Sequence, residues 1–116
     1  MEWKPIRSLL DIKEAVFQSQ QNPIMLFKHS TRCAISIMAK SRLERNWSKT
    51  ENKVQPYYLD LLNFRDVSGY IAEKWLLKHE SPQALIISKG ELTFHISHEG
   101  ITVDAIIDSL PHSEIV

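Results

Sequence analysis

The stretch Pro23-Ile24-Met25-Leu26-Phe27-Lys28-His29-Ser30-Thr31-Arg32-Cys33-Ala34-Ile35-Ser36 carries two patterns back to back. Its first part, Pro23 to Lys28, is a nearly unbroken apolar run too short for a helix. Such a run suits a strand buried on both faces in the middle of a sheet. His29-Ser30-Thr31-Arg32 is polar and suits a turn with a helix cap. From Cys33 the pattern becomes helical, with Ile37, Ala39, Leu43 and Trp47 as the expected core-facing stripe and basic Lys40, Arg42 and Arg45 further along. The one cysteine of the chain therefore falls at a strand-to-helix junction.

Upstream, Ser8 and Asp11 resemble a capping box, and Leu9, Ile12, Ala15 and Val16 share one face. This spacing predicts a helix over Leu9–Gln18, with Pro23 marking the break after it. Downstream, Lys53–Asp60 reads as a second strand. Pro56 lacks an amide donor there, which argues for an edge or irregular pairing. Val67, Tyr70, Ile71 and Trp75 predict a helix over Arg65–Lys78, weakened slightly by Gly69. Ala84-Leu85-Ile86-Ile87 is a third strand, Lys89-Gly90-Glu91 a tight turn, and Leu92-Thr93-Phe94-His95-Ile96 an alternating fourth strand, so this pair reads as a hairpin. Thr102 caps a last helix carrying Val103, Ile106, Ile107 and Leu110.

The order is α-β-α-β-α-β-β-α. Strand–helix–strand in the first half requires a parallel pair with a crossover, and the hairpin adds an antiparallel pair. The expectation is one α/β domain over residues 1–116 with a four-stranded mixed sheet flanked by helices. That arrangement is the thioredoxin-like fold.

Composition narrows the function. Fourteen basic residues balance fourteen acidic ones in 116, so no net field steers the chain toward nucleic acid or an anionic membrane, and neither is expected as a partner. A chain of this length buries roughly two-thirds of its unfolded surface and needs no staple. Met1-Glu2-Trp3-Lys4-Pro5 is not followed by the apolar run of a signal peptide, and no stretch approaches a transmembrane span. A cytoplasmic address is expected.

A single cysteine excludes an internal disulfide and a structural zinc site built on several thiolates, so no metal is expected. A lone cysteine is most often a small buried hydrophobe. Its position argues otherwise: the free N–H groups and positive dipole end of a helix favour a thiolate, the attacking species in thiol–disulfide exchange. Arg32 is adjacent, and Lys28 and His29 lie in or near the same turn, where each would add positive potential.

The redox motif at this point is normally Cys-X-X-Cys. Here it is Cys33-Ala34-Ile35-Ser36. Ser36 stands in the place of the resolving thiol and cannot attack a mixed disulfide. What remains is a monothiol cycle: Cys33 takes a low-molecular-weight thiol from a substrate, and a second such thiol releases it. Ser81-Pro82 precedes the third strand, where thioredoxin-fold proteins carry a cis-proline facing the active-site cysteine. A cis bond there would offer the Ser81 backbone to an extended thiol ligand; the competing reading is a trans proline that only ends a helix. The candidate site is thus catalytic Cys33, with Arg32, Ser36, Ser81 and Pro82 binding thiol or substrate. Ser36 is expected to cap, to bond the Cys33 sulfur, or simply to face the helix.

Other residues receive plainer readings. His79, His95, His98 and His112 lack metal-ligand spacing and read as surface or loop residues. Trp47, Trp75 and Tyr57-Tyr58 read as core packing. Lys40, Arg42 and Arg45 read as a solvated helix face, with assistance to an anionic ligand as the alternative.

The run from Lys28 to Ser36, together with Lys78-His79-Glu80-Ser81-Pro82-Gln83-Ala84, closely resembles the monothiol bacilliredoxin family of YtxJ type. Tyr57-Tyr58-Leu59, Arg65 and Ile71-Ala72-Glu73-Lys74 fit the same pattern, and the resemblance extends from about Ile12 to Leu110. It implies a thioredoxin-like fold and removal of bacillithiol from S-bacillithiolated cytosolic proteins, with Cys33 accepting bacillithiol as a mixed disulfide. One position departs: the family's motif usually has proline after the cysteine, and here it is Ala34. Proline at the first helical position pre-sets φ and removes an unneeded donor; alanine loosens that constraint and adds an N–H near the sulfur.

The leading expectation is a monothiol disulfide reductase acting on S-thiolated client proteins. The alternatives are a non-catalytic thioredoxin-fold thiol sensor or binding module, and a structural protein with an inert cysteine.

Overall fold

The computed structural model describes residues 1–110, so His112 lies outside the described residues. Five strands and four α-helices follow in the order β1 (Lys4–Pro5), α1 (Leu9–Gln18), β2 (Ile24–His29), α2 (Ala34–Asn46), β3 (Gln55–Asp60), α3 (Arg65–Lys74), β4 (Gln83–Ser88), β5 (Glu91–Ser97) and α4 (Val103–Ser109). Short 3-10 turns at Trp47–Thr50 and His98–Gly100 complete them. The sheet runs β1-β3-β2-β4-β5. β1, β3 and β2 are parallel; β4 runs antiparallel to β2, and β5 to β4.

β2 occupies the centre, and all six of its residues are buried. Alternation along it sorts the core into two layers. Ile24 and Leu26 face α1 and α3, packing with Ile12, Ala15, Val67 and Ile71. Met25 and Phe27 face α2 and α4, packing with Ala39, Leu43, Trp47, Val103 and Ile106. A nearly continuous apolar strand is what this two-sided burial requires.

Three expectations need correction. The sheet has five strands rather than four, because Lys4 and Pro5 pair with Tyr57 and Tyr58. Two exposed residues, one a proline, carry no alternation to reveal that strand. Pro56 lies inside β3, opposite Met25 of β2. Gln55 N–H bonds toward β2 and Tyr58 C=O toward Ile6, so strand alternation turns the Pro56 nitrogen toward the outer side, before the β1 pairing begins.

α3 stops at Lys74, not Lys78. Leu76 takes a left-handed conformation, φ 52°. Its N–H bonds Glu73 C=O, and Leu77 N–H bonds Ala72 C=O at 2.9 Å. These are the paired reversed bonds of a Schellman ending.

The third correction concerns α2. Its buried residues are Ser36, Ala39 and Leu43, followed by Trp47, while Ile37 is 50% exposed. Ser36 takes the inward position expected of Ile37 because its hydroxyl finds partners there.

The hairpin turn is built on Lys89 (φ 53°) and Gly90 (φ 79°), the left-handed pair of a type I′ turn. No helix among the described residues is long and apolar enough to cross a membrane.

Candidate functional site

Cys33 is the N-cap of α2, with extended backbone (φ −109°, ψ 119°). Its carbonyl accepts the Ile37 N–H at 3.0 Å, and its own N–H bonds Ser30 C=O. No side chain caps the helix, and no acidic residue sits in its first turn. The half-buried thiol therefore stands at a helix end whose first N–H groups and positive dipole are not neutralised by the chain itself. Ala34 is the first helical residue and is exposed.

The turn before Cys33 is tied down by Ser36. Its Oγ lies 2.5 Å from His29 Nδ1 and accepts the Ser30 N–H at 3.1 Å. Ser36 is buried and turns its hydroxyl back to the end of β2 and the turn, a role not among those expected for it. Among the described residues it makes no hydrogen bond to the Cys33 sulfur.

His29 is buried between Phe27 and Tyr58, with ring centroids at 5.7 and 5.4 Å. Burial, reinforced by the Lys40 cation, lowers its pKa and holds the imidazole neutral. His29 therefore adds no charge to the turn, contrary to the expectation from its position.

Lys28 also departs from that expectation. It is 0% exposed and, by strand alternation, sits on the α1/α3 side, the opposite face from His29. Burial lowers its pKa to about 8. Its Nζ lies 3.0 Å from His79 Nδ1, which is also 3.4 Å from Ser68 Oγ. His79 is an exposed loop residue, as expected, yet its ring closes over a buried amine. Burial and the neighbouring Lys28 lower its pKa.

Ser81-Pro82 is a cis peptide. β2 and β4 are in register from Ile24↔Ile87 to Lys28↔Gln83, so Pro82 stands one step beyond, across from His29. This places it at the same sheet end as the Cys33 turn. Pro82 C=O accepts His98 N–H at 3.1 Å. Ser81 Oγ is buried and has no hydrogen-bond partner among the described residues. Arg32 is exposed, and its backbone N–H bonds Ser30 Oγ at 3.3 Å.

The basic residues of α2 do not form one solvated face. Arg42 donates from Nε to Ile101 C=O at 3.0 Å, fastening α2 to the segment before α4. Arg45 bonds Ser41 Oγ. Lys40 bonds Glu44 Oε2 at 2.7 Å and lies 5.6 Å above both the Trp3 and Tyr58 rings. Beside it a groove of about 260 Å³ is lined by His29, Ile37, Lys40, Ser41, Glu44 and Tyr58. Trp47 and Tyr57 are core residues as expected, whereas Tyr58 turns its ring to this groove. The signal for it was the spacing Ile37, Lys40, Ser41, Glu44, which continues the helical face of Cys33.

The chain aligns with a solved structure described as an oxidoreductase with a thioredoxin fold, at TM-score 0.82 and 28% identity over 91% of both chains. It also superposes on Fasciola hepatica thioredoxin (TM-score 0.74, 13% identity, 93% of this chain and 99% of that one). Malassezia sympodialis thioredoxin gives TM-score 0.72 at 16% identity, over 92% and 89%. The fold is thus thioredoxin-like. Residues 4–106 match the family described as Monothiol bacilliredoxin BrxC, and over that span the chain belongs to the monothiol bacilliredoxin family.

Proposed function

We propose that this chain is a monothiol disulfide reductase that removes bacillithiol, or a similar low-molecular-weight thiol, from S-thiolated client proteins through Cys33. One observation carries the reading. The only cysteine of the chain caps an otherwise uncapped helix, and the position three residues on holds a serine engaged with His29 and Ser30.

The Cys33 thiolate attacks the low-molecular-weight sulfur of a client mixed disulfide. A sulfur–sulfur bond forms to Cys33, the client sulfur leaves as thiolate, and it takes a proton from water. With no second thiol in the chain, the adduct is resolved by another molecule of free thiol. That thiolate attacks the sulfur of the carried thiol, forms the symmetrical small disulfide and returns Cys33 as thiolate. The free thiol is oxidised as the client sulfur is reduced, while the carried sulfur stays at the disulfide level throughout. Arg32, Ser81 and Pro82 are proposed to orient the incoming disulfide. The cytoplasm, where thiol pools keep cysteines reduced, is the compartment in which this cycle runs.

Turnover is the test. A bacillithiolated protein in tenfold excess over this chain, with bacillithiol supplied, is expected to lose its adduct, and Cys33→Ser to be inert. Adduct transfer that stops after one equivalent would identify a thiol sensor instead.

A further inference from the structure

Lys28 is a cation buried without a counter-charge. Its side chain is fully enclosed, and among the described residues no carboxylate pairs with it and its Nζ has one hydrogen-bond partner, His79 Nδ1 at 3.0 Å. An ammonium buried on these terms costs stability. Packing therefore does not account for a lysine at this position of β2.

What it holds is a loop. From Lys78 to Ser81 no backbone group bonds another backbone group among the described residues; the next such tie is Pro82 C=O to His98 N–H. Side chains fasten the segment instead. Lys28 and Gln83 stand opposite each other across β2 and β4, both buried on one face of the sheet. Lys28 reaches His79, and Gln83 Nε2 donates to Lys78 C=O at 3.2 Å. Ser68 Oγ of α3 lies 3.4 Å from the same His79 nitrogen. Two residues beyond His79 the loop arrives at Ser81-Pro82, at the sheet end that carries the Cys33 turn.

We propose that Lys28 is a positioning residue for thiol exchange: by holding His79 it sets the Ser81 backbone in place for a disulfide engaged at Cys33, and it stays in the core, against stability, for that purpose. It touches neither the sulfur nor the substrate and acts only through His79. The proposal rests on the thiol-exchange reading and adds to it a residue on the far face of the sheet from α2.

The test sets two reactions of Cys33 against unfolding in urea. Iodoacetamide needs only the thiolate, whereas bacillithiol disulfide must also be oriented; both adducts are followed by intact mass. Lys28→Met is expected to raise the urea midpoint at pH 7, to leave alkylation within about twofold of wild type, and to slow the disulfide about tenfold, a modest cost for a misplaced binding group. His79→Ala keeps the buried cation but strands it, so its midpoint should fall while the disulfide slows as much as in Lys28→Met. His79→Asn, which restores an acceptor near the Nδ1 position, should recover most of the rate. The double variant Lys28→Met/His79→Ala should be no slower than either single one.

Slow disulfide reaction in one more stable and one less stable variant separates positioning from general loosening of the fold. A Lys28→Met chain that reacts with the disulfide at the wild-type rate, or that loses alkylation in equal measure, would overturn the proposal. So would additive losses in the double variant, or a lowered midpoint in Lys28→Met, with thiol exchange itself left standing. A wild type that is alkylated yet inert to the disulfide removes the thiol-exchange reading and this proposal together.

Discussion

Ser36 Oγ lies 2.5 Å from His29 Nδ1, joining the first turn of α2 to the last residue of β2. The same oxygen accepts the Ser30 N–H. The position where a dithiol enzyme keeps its second sulfur is here occupied by a structural hydroxyl with two partners, the buried His29 ring and the half-buried Ser30 N–H.

Replacing it should therefore weaken the fold around Cys33. Ser36→Ala strands a buried imidazole nitrogen and a backbone N–H, at an expected loss of about 1–3 kcal/mol of unfolding free energy in urea titration. The Cys33 thiol should remain alkylatable in the folded variant. An unchanged urea midpoint would contradict the role given to this hydroxyl.

Lys28 predicts an alkaline gain in stability. Its native pKa near 8 lies below the ordinary 10.5, so the unfolded chain binds more protons between those values, and stability rises with pH across them. The cost of burying the ammonium is complete below pH 8 and is on the order of 3 kcal/mol. Tyr57 and Tyr58 act oppositely. Burial raises both, so their contribution is present below about pH 10 and is lost above it. Unfolding free energies at pH 7 and 9.5 should therefore show an increase in wild type and a much smaller one in Lys28→Met. A decrease in wild type over this interval would refute the assignment.

Leu76 is a stabilisation waiting at a helix end. A left-handed leucine costs about 1–2 kcal/mol relative to a glycine's indifference, and this side chain is 92% exposed, so its removal forfeits little burial. After allowance for the greater freedom of an unfolded glycine, Leu76→Gly is expected to raise unfolding free energy by roughly 0.5–1 kcal/mol. Thermal denaturation measures it, and a lowered midpoint would count against the Schellman ending.

The same leucine shows why some of the fold was not legible. Apolar spacing continued through Trp75, and no glycine or asparagine marked the stop, so the helix read four residues too long. β2 was legible because burial on both faces writes an unbroken apolar run; β1 was not, because two exposed residues write nothing. At the site, Cys33, Ser36 and Ser81-Pro82 stood out by position in the chain. The roles of Lys28 and His29 did not, since adjacent strand residues point to opposite faces, and their charge depends on burial that sequence does not display. The groove needed Tyr58 of β3, and Trp3 reaches Lys40 through the pairing of the adjacent β1 with β3.

The most direct measurement is a single-turnover transfer read by intact mass. One equivalent of a bacillithiolated protein is mixed with reduced chain, without free thiol, and both masses are recorded over time. The account predicts that the client loses one bacillithiol as this chain gains it on Cys33, and that the Cys33→Ala variant gains nothing. A client that keeps its adduct while Cys33 stays free, or that sheds it equally with Cys33→Ala, would contradict the account.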